Sequence, residues 1–104
     1  MTDPRRTLTP AETVDDLAGT AFVHTGGQLD GAYRTADFAS AVEILAEVAE
    51  VADAMNHHPE VRLGWGRIAF ELSSHDVGGV TSRDLELARR IDALAVGRGA
   101  RPGN

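Results

Sequence analysis

The sequence predicts an α+β domain: a four-stranded antiparallel sheet with helices packed on one face, in the order α-β-β-α-β-β-α. Three observations lead there. Two pairs of short segments, with alternating apolar and polar residues, flank glycine-containing turns as hairpins do. A long stretch between the pairs and a shorter one after them carry apolar residues at helical spacing. Two Thr-x-x-acid sequences, Thr9 to Glu12 and Thr81 to Asp84, have the form of capping boxes that start helices.

The first helix begins at Thr9, with Pro10 at its first position and Glu12 reaching back to the cap. Val14, Leu17 and Ala18 supply an apolar face, and Gly19 suits the stop. Thr20 to His24 and Gln28 to Arg34 form the first hairpin around Thr25-Gly26-Gly27, with Asp30-Gly31 offering a competing turn. From Asp37 to Asn56, a helical period joins Phe38, Ala41, Val42, Leu45, Val48, Ala49, Ala52 and Met55. Glu43, Glu47 and Glu50 line the opposite side as a solvated face. Pro59 ends this helix before His58, which it biases toward extended backbone. Val61, Leu63 and Trp65, then Ile68, Phe70 and Leu72, alternate as a second hairpin. His75 to Gly79 is a loop, and the third helix carries Leu85, Ala88, Ile91, Leu94 and Ala95. One domain over 1–104 is expected, with an ordered core of about 8–96 and a patternless, flexible tail over 97–104.

Composition narrows the chemistry. With no cysteine, disulfides, thiol nucleophiles and thiolate metal sites are excluded. Every basic residue is arginine, so Schiff-base lysine chemistry is excluded as well. A net charge of −6 argues against direct nucleic-acid binding, which demands a basic face. No apolar run approaches the roughly 20 residues that span a bilayer, and Met1 to Pro10 lacks the apolar stretch of a secretion signal. A cytoplasmic protein with no membrane association is the expectation.

Three of the four histidines flank the second hairpin: His57 and His58 before its first strand, His75 after its second. The outer ends of a hairpin are close in space, so these rings should gather at one end of the sheet. Asp53 lies one helical turn before His57, and Asp84 lies in the first turn of the helix after His75. Histidine is the side chain that exchanges protons near neutrality, and a neighbouring carboxylate sets its tautomer. Ser73, Ser74 and the Gly78-Gly79 backbone can offer hydrogen bonds to a small polar ligand. Taken singly, each residue has a plainer reading, Asp84 as a helix cap and a histidine as a surface residue; the convergence carries the functional one. His24, alone in the first hairpin, keeps the plainer reading. Three histidines and an aspartate also resemble a zinc ligand set. However, adjacent histidines before a proline diverge, no HExxH-like pair exists, and no metal is expected.

Asp53-Ala54-Met55-Asn56-His57-His58-Pro59, Trp65, Ser73-Ser74-His75-Asp76, Gly78-Gly79-Val80-Thr81 and Asp84 together resemble the pterin-4a-carbinolamine dehydratases, over Asp37 to Leu94. The resemblance implies dehydration of 4a-hydroxytetrahydrobiopterin to quinonoid dihydrobiopterin, by acid–base chemistry without a cofactor. By the same resemblance the catalytic residues are His57, His58, His75 and Asp84. Proton transfer falls to His57 and His75, with Asp53 and Asp84 orienting the histidines. Asp53, Asn56, Pro59, Ser73, Ser74 and Asp76 would contact the pterin. It also implies a homodimer or homotetramer, in keeping with exposed sheet edges. The first strand departs from the family's pattern, offering Phe22 where a tryptophan is usual. The alternative reading is a non-catalytic dimerisation or binding module that retains the fold.

Overall fold

The computed structural model describes residues 3–103. Helix α1 (Pro10–Leu17) leads into β1 (Phe22–Thr25) and β2 (Gln28–Arg34), followed by α2 (Phe38–Met55). Strands β3 (Glu60–Gly64) and β4 (Arg67–Leu72), helix α3 (Ser82–Gly97) and a short β5 (Arg101–Pro102) complete the chain. The main strands are ordered β1-β2-β4-β3, all antiparallel. The hairpins therefore lie side by side through β2 and β4, with β3 as one outer strand. Leu29 and Tyr33 of β2, with Ile68, Phe70 and Leu72 of β4, are buried on one face. They join Ala41, Ile44 and Val48 of α2 and Leu87, Ala88, Ile91 and Ala95 of α3 in a single core. The intervening residues Asp30, Arg34, Arg67 and Glu71 are exposed, as the period of two requires.

Both predicted capping boxes are formed: Thr9 with Glu12, and Thr81 with Asp84. The Gly26-Gly27 turn wins over Asp30-Gly31, and Thr25 pairs with Gln28 across it. Gly31 instead sits inside β2 opposite Phe22 and Phe70. A Cβ there would stand 2.7 Å from the Phe22 ring, so the missing side chain is the space the aromatic occupies.

Details of the expected faces shift. In α2 the buried positions are Ala41, Ile44, Val48 and Ala52, while Phe38 and Val42 are exposed. Ala41, Val48 and Ala52 lie on the stripe the sequence period favours, with Leu45 and Met55 packed against the core, and the buried face extends past that stripe to take in Ile44. In α1 the buried residues are the expected Leu17 and also Thr13, whose hydroxyl lies 2.8 Å from His24 Nδ1, while Val14 points to solvent. Trp65 occupies the two-residue turn between β3 and β4 rather than the strand, and is exposed.

The tail is tied down over its described part. β1 leaves β2's edge after Phe22 meets Gly31, so the edge groups of Tyr33 and Arg34 are free; Pro102 and Arg101 pair with them. Ala100 is buried beneath, and Arg98 forms ion pairs with Glu47 and Glu43 on α2. Those two glutamates, Glu43 exposed and Glu47 half-buried, stay on the solvent side as expected and pair there with the residue that ends α3. Asn104 lies outside the described residues. Tyr33 donates a 2.5 Å hydrogen bond to Asp92 of α3, which also accepts from the Ala21 backbone N–H at 3.1 Å. Burial, with the Asp92 carboxylate beside it, pushes the phenol above the ordinary tyrosine range. Among the described residues no helix is long and apolar enough to cross a membrane.

Gly31→Ala forces a methyl into the Phe22 ring and is expected to cost about 1–3 kcal/mol, read as a lower urea midpoint at unchanged slope. Acid should also weaken the fold through its caps. Backbone N–H groups hold Glu12 and Asp37 below their ordinary values of 4.5 and 3.8. Their contribution is complete above those values and is lost as pH falls through the lower folded ones. Asp37→Asn should therefore lose less thermal stability than the wild type between roughly pH 5 and pH 3.

Candidate active site

The C-terminus of α2 decides which histidine turns inward. Asn56 ends the helix in the left-handed region (φ 51°, ψ 43°), and the His57 N–H donates to the Ala52 carbonyl at 3.1 Å. This six-residue closure reverses the chain just before Pro59 forbids further helix. Successive side chains then diverge. His57 has 10% of its side chain exposed and His58 has 56%.

His57 Nε2–H donates to Asp84 Oδ1 at 2.5 Å. Asp84 is fully buried at the third position of α3. Its other oxygen accepts from the Thr81 N–H at 2.9 Å and from the Ser74 hydroxyl at 2.8 Å. Ser74 and Thr81, both buried, have their hydroxyl oxygens 2.9 Å apart. No buried side-chain nitrogen or oxygen among the described residues lacks a hydrogen-bond partner. No described residue bonds His57 Nδ1, so that nitrogen reaches the surface.

Ser74 also organises the loop that follows β4. Its N–H donates to the Gly79 carbonyl at 2.7 Å, and its carbonyl accepts from Val77, Gly78 and Gly79 at 3.2, 2.9 and 3.3 Å. His75 leaves this closed loop on the exposed side, with no side-chain hydrogen bond among the described residues. Asp76 is gripped by Arg83 at 2.8 and 3.1 Å, and that guanidinium holds its carboxyl below the usual carboxylate range. Arg83 Nε–H also donates to the Pro4 carbonyl at 2.9 Å and to Thr81 Oγ1 at 3.3 Å, binding the N-terminal segment to the start of α3.

The expected residues therefore fall into two groups. His57, Ser74 and Asp84 are joined directly, with His75 and Asp76 on the adjoining loop. His58 and Asp53 form their own exposed pair at 2.9 Å. Asn56 is exposed and serves as the helix end, while Pro59 and Ser73 are half-buried beside the network. Thr81 and Arg83 are new members. The sequence reads both within a helix cap, and Thr81 also within the stretch that carries the family resemblance, because nothing in Thr-x-x-Asp tells that Ser74 stands opposite. His24 has both ring nitrogens engaged, by Thr13 and by the Gly26 carbonyl at 3.1 Å. Among the described residues no three His, Cys, Asp or Glu side chains are placed to hold one metal ion. A groove of about 650 Å³ lies on the open sheet face between Asp30, Arg62, Arg67 and Glu71, away from the histidines.

A solvent-reaching histidine clamped by a buried carboxylate is an arrangement that can exchange a proton at its open nitrogen. The comparisons give the family. The sequence model of "Pterin 4 alpha carbinolamine dehydratase" matches residues 7–94. A protein of Solibacter usitatus, provisionally named a pterin-4-alpha-carbinolamine dehydratase, is 42% identical over 74% of this chain and 81% of its own. A similarly named protein of Sulfurisphaera tokodaii is 41% identical over 66% of this chain and 74% of its own. A crystal structure of a transcriptional coactivator/pterin dehydratase from Brucella melitensis superposes with a TM-score of 0.79 at 28% identity, covering 86% of this chain and 99% of that one. A pterin dehydratase-like RuBisCO assembly factor of the alpha-carboxysome shares the fold, with a TM-score of 0.61 at 21% identity over 71% of this chain and 88% of its own. The chain belongs to the pterin-4a-carbinolamine dehydratase family.

Asp84→Ala leaves the Thr81 N–H, the Ser74 hydroxyl and His57 Nε2–H without their acceptor. Each orphaned buried group costs about 1–3 kcal/mol, so chemical denaturation should show a loss of several kcal/mol. Asp53→Ala, at an exposed pair, should stay within about 0.5 kcal/mol.

Proposed function

We propose that this protein dehydrates 4a-hydroxytetrahydropterins, 4a-hydroxytetrahydrobiopterin among them, to the quinonoid dihydropterin and water. The C4a–O bond breaks as the leaving hydroxyl takes a proton, the N5–H proton goes to a base, and the nitrogen's electrons form the C4a=N5 double bond. The enzyme gives one proton and takes one, so it needs no redox partner.

The observation that carries this reading is the His57–Asp84 contact. An ionised carboxylate only accepts, so the neutral ring must keep its proton on Nε2 and offer the Nδ1 lone pair to solvent. That suits His57 to take the N5 proton, with His75, exposed on the next loop, to supply the leaving hydroxyl. His58 and Asp53 would hold the pterin at the rim, with Asn56, Pro59, Ser73 and Asp76 bordering it. Ser74 faces the Asp84 carboxylate, which favours an indirect part in the chemistry over pterin contact. The outer strand β3, Glu60–Gly64, has an unpaired edge that suits assembly as a dimer or tetramer. The Brucella neighbour's double description, coactivator and dehydratase, favours a second reading as a binding module.

Turnover of chemically generated 4a-hydroxytetrahydropterin, followed by absorbance with chelator present, tests the proposal. The wild type should accelerate the reaction over its spontaneous rate. His57→Ala and His75→Ala should each lose about 10²–10⁴-fold. A folded wild type with no acceleration would sink the enzyme reading and leave the binding module in its place.

A further inference from the structure

The hydroxyl pair behind Asp84 has a direction that its geometry dictates. Asp84 Oδ2 can only accept, so the single hydroxyl proton of Ser74 points to it, at 2.8 Å. Ser74 Oγ is then the acceptor in the 2.9 Å contact with Thr81, and the Thr81 proton points to Ser74. Thr81 Oγ1 in turn accepts from the Arg83 N–H at 3.2 Å and from Arg83 Nε–H at 3.3 Å. Every step runs one way, from the Arg83 guanidinium through two hydroxyls to a carboxylate, and His57 Nε2–H enters that carboxylate from the other side. Such a chain polarises itself, each donor sharpened by the one behind it. Ser74, Thr81 and Asp84 are wholly buried, so no solvent molecule competes for these positions.

We infer that Ser74 and Thr81 are positioning residues, whose aligned hydroxyls lock the Asp84 carboxylate and thereby hold His57 in the tautomer that leaves Nδ1 open. This rests on the reading of His57 as a proton acceptor, and it gives Ser74 a role distinct from the pterin contact that the family resemblance implies. Both oxygens of Asp84 are committed: Oδ2 to Ser74 and the Thr81 N–H, Oδ1 to His57. Loss of the Ser74 hydroxyl frees the carboxylate to turn toward Thr81, and the imidazole then loses its fixed acceptor. The other charged groups near the ring are already engaged. Asp53 pairs with His58 on the same segment, and Asp76 pairs with Arg83 on the loop. His75 is the neighbouring titratable group without a side-chain partner among the described residues.

The test reads the ring directly. In the pterin-free protein, ¹⁵N NMR at a pH where His57 is neutral should show a pyridine-like Nδ1 and a pyrrole-like Nε2. Ser74→Ala and Thr81→Val should move both signals toward the averaged values of mixed tautomers, and Thr81→Ser, which keeps the hydroxyl, should restore the wild-type pattern. With substrate, kcat should fall about tenfold in the first two variants at little-changed KM, a loss usual for groups that orient a reacting residue. A tautomer pattern unaltered in both variants overturns the inference. So does a raised KM with kcat preserved, which would make Ser74 a ligand contact. A wild type without dehydratase activity would remove the proposed function, yet the NMR pattern would still decide the role of the two hydroxyls.

Discussion

A carboxylate removed from water must be fully hydrogen-bonded or give up its charge, and around Asp84 this requirement organises the site. Three donors meet it: a helix-cap N–H, a strand-end hydroxyl and an imidazole. They come from the start of α3, the end of β4 and the end of α2. The satisfaction of one buried charge thus closes the domain at the end of the sheet where the histidines lie. The same group is thus a helix cap and the fixed partner of His57.

Further along α3, at Asp92, a second polar contact does similar work. Asp92 accepts from Tyr33 of β2 and from the backbone at Ala21, which fixes the helix across the first hairpin. Between these two anchors the helix lies on an apolar sheet face whose shape depends on Gly31 yielding space to Phe22. Pinned at these two points, α3 has little freedom to slide, and Asp84 meets His57 at a fixed separation. The separation of Asp84 and His57 is therefore set in part by packing further along the same helix.

The two histidines of the His57-His58 pair show how sequence neighbours can be given different tasks. Asn56 takes a left-handed conformation and Pro59 forces extended backbone behind it, so the rings part. One reaches an interior carboxylate that water cannot screen. The other pairs with Asp53 at the surface, where the interaction is weak and the rings and carboxylates of solvent-facing residues stay free to rearrange. The first is held in one orientation, and the second stays open to solvent.

The sequence by itself determined the order of elements, both capping boxes and the two hairpins, and from the second hairpin it led to the expectation that His57, His58 and His75 gather at one end of the sheet. All of these rest on local rules: hydrophobic period, glycine turns, Thr-x-x-acid spacing and proline. Tertiary structure alone decided the rest. The helical period of α2 admits several stripes, and only packing against the sheet selected Ile44 and left Phe38 and Val42 outside. Thr13 and Val14 exchanged roles because His24 stood opposite α1. The tail gained order from an edge of β2 that β1 leaves open, a vacancy no local pattern encodes. The Ser74–Thr81–Asp84 alignment was invisible for the same reason. Its members are seven and ten residues from Ser74 along the chain, and their hydrogen bonds exist only when a strand end and a helix start are brought face to face.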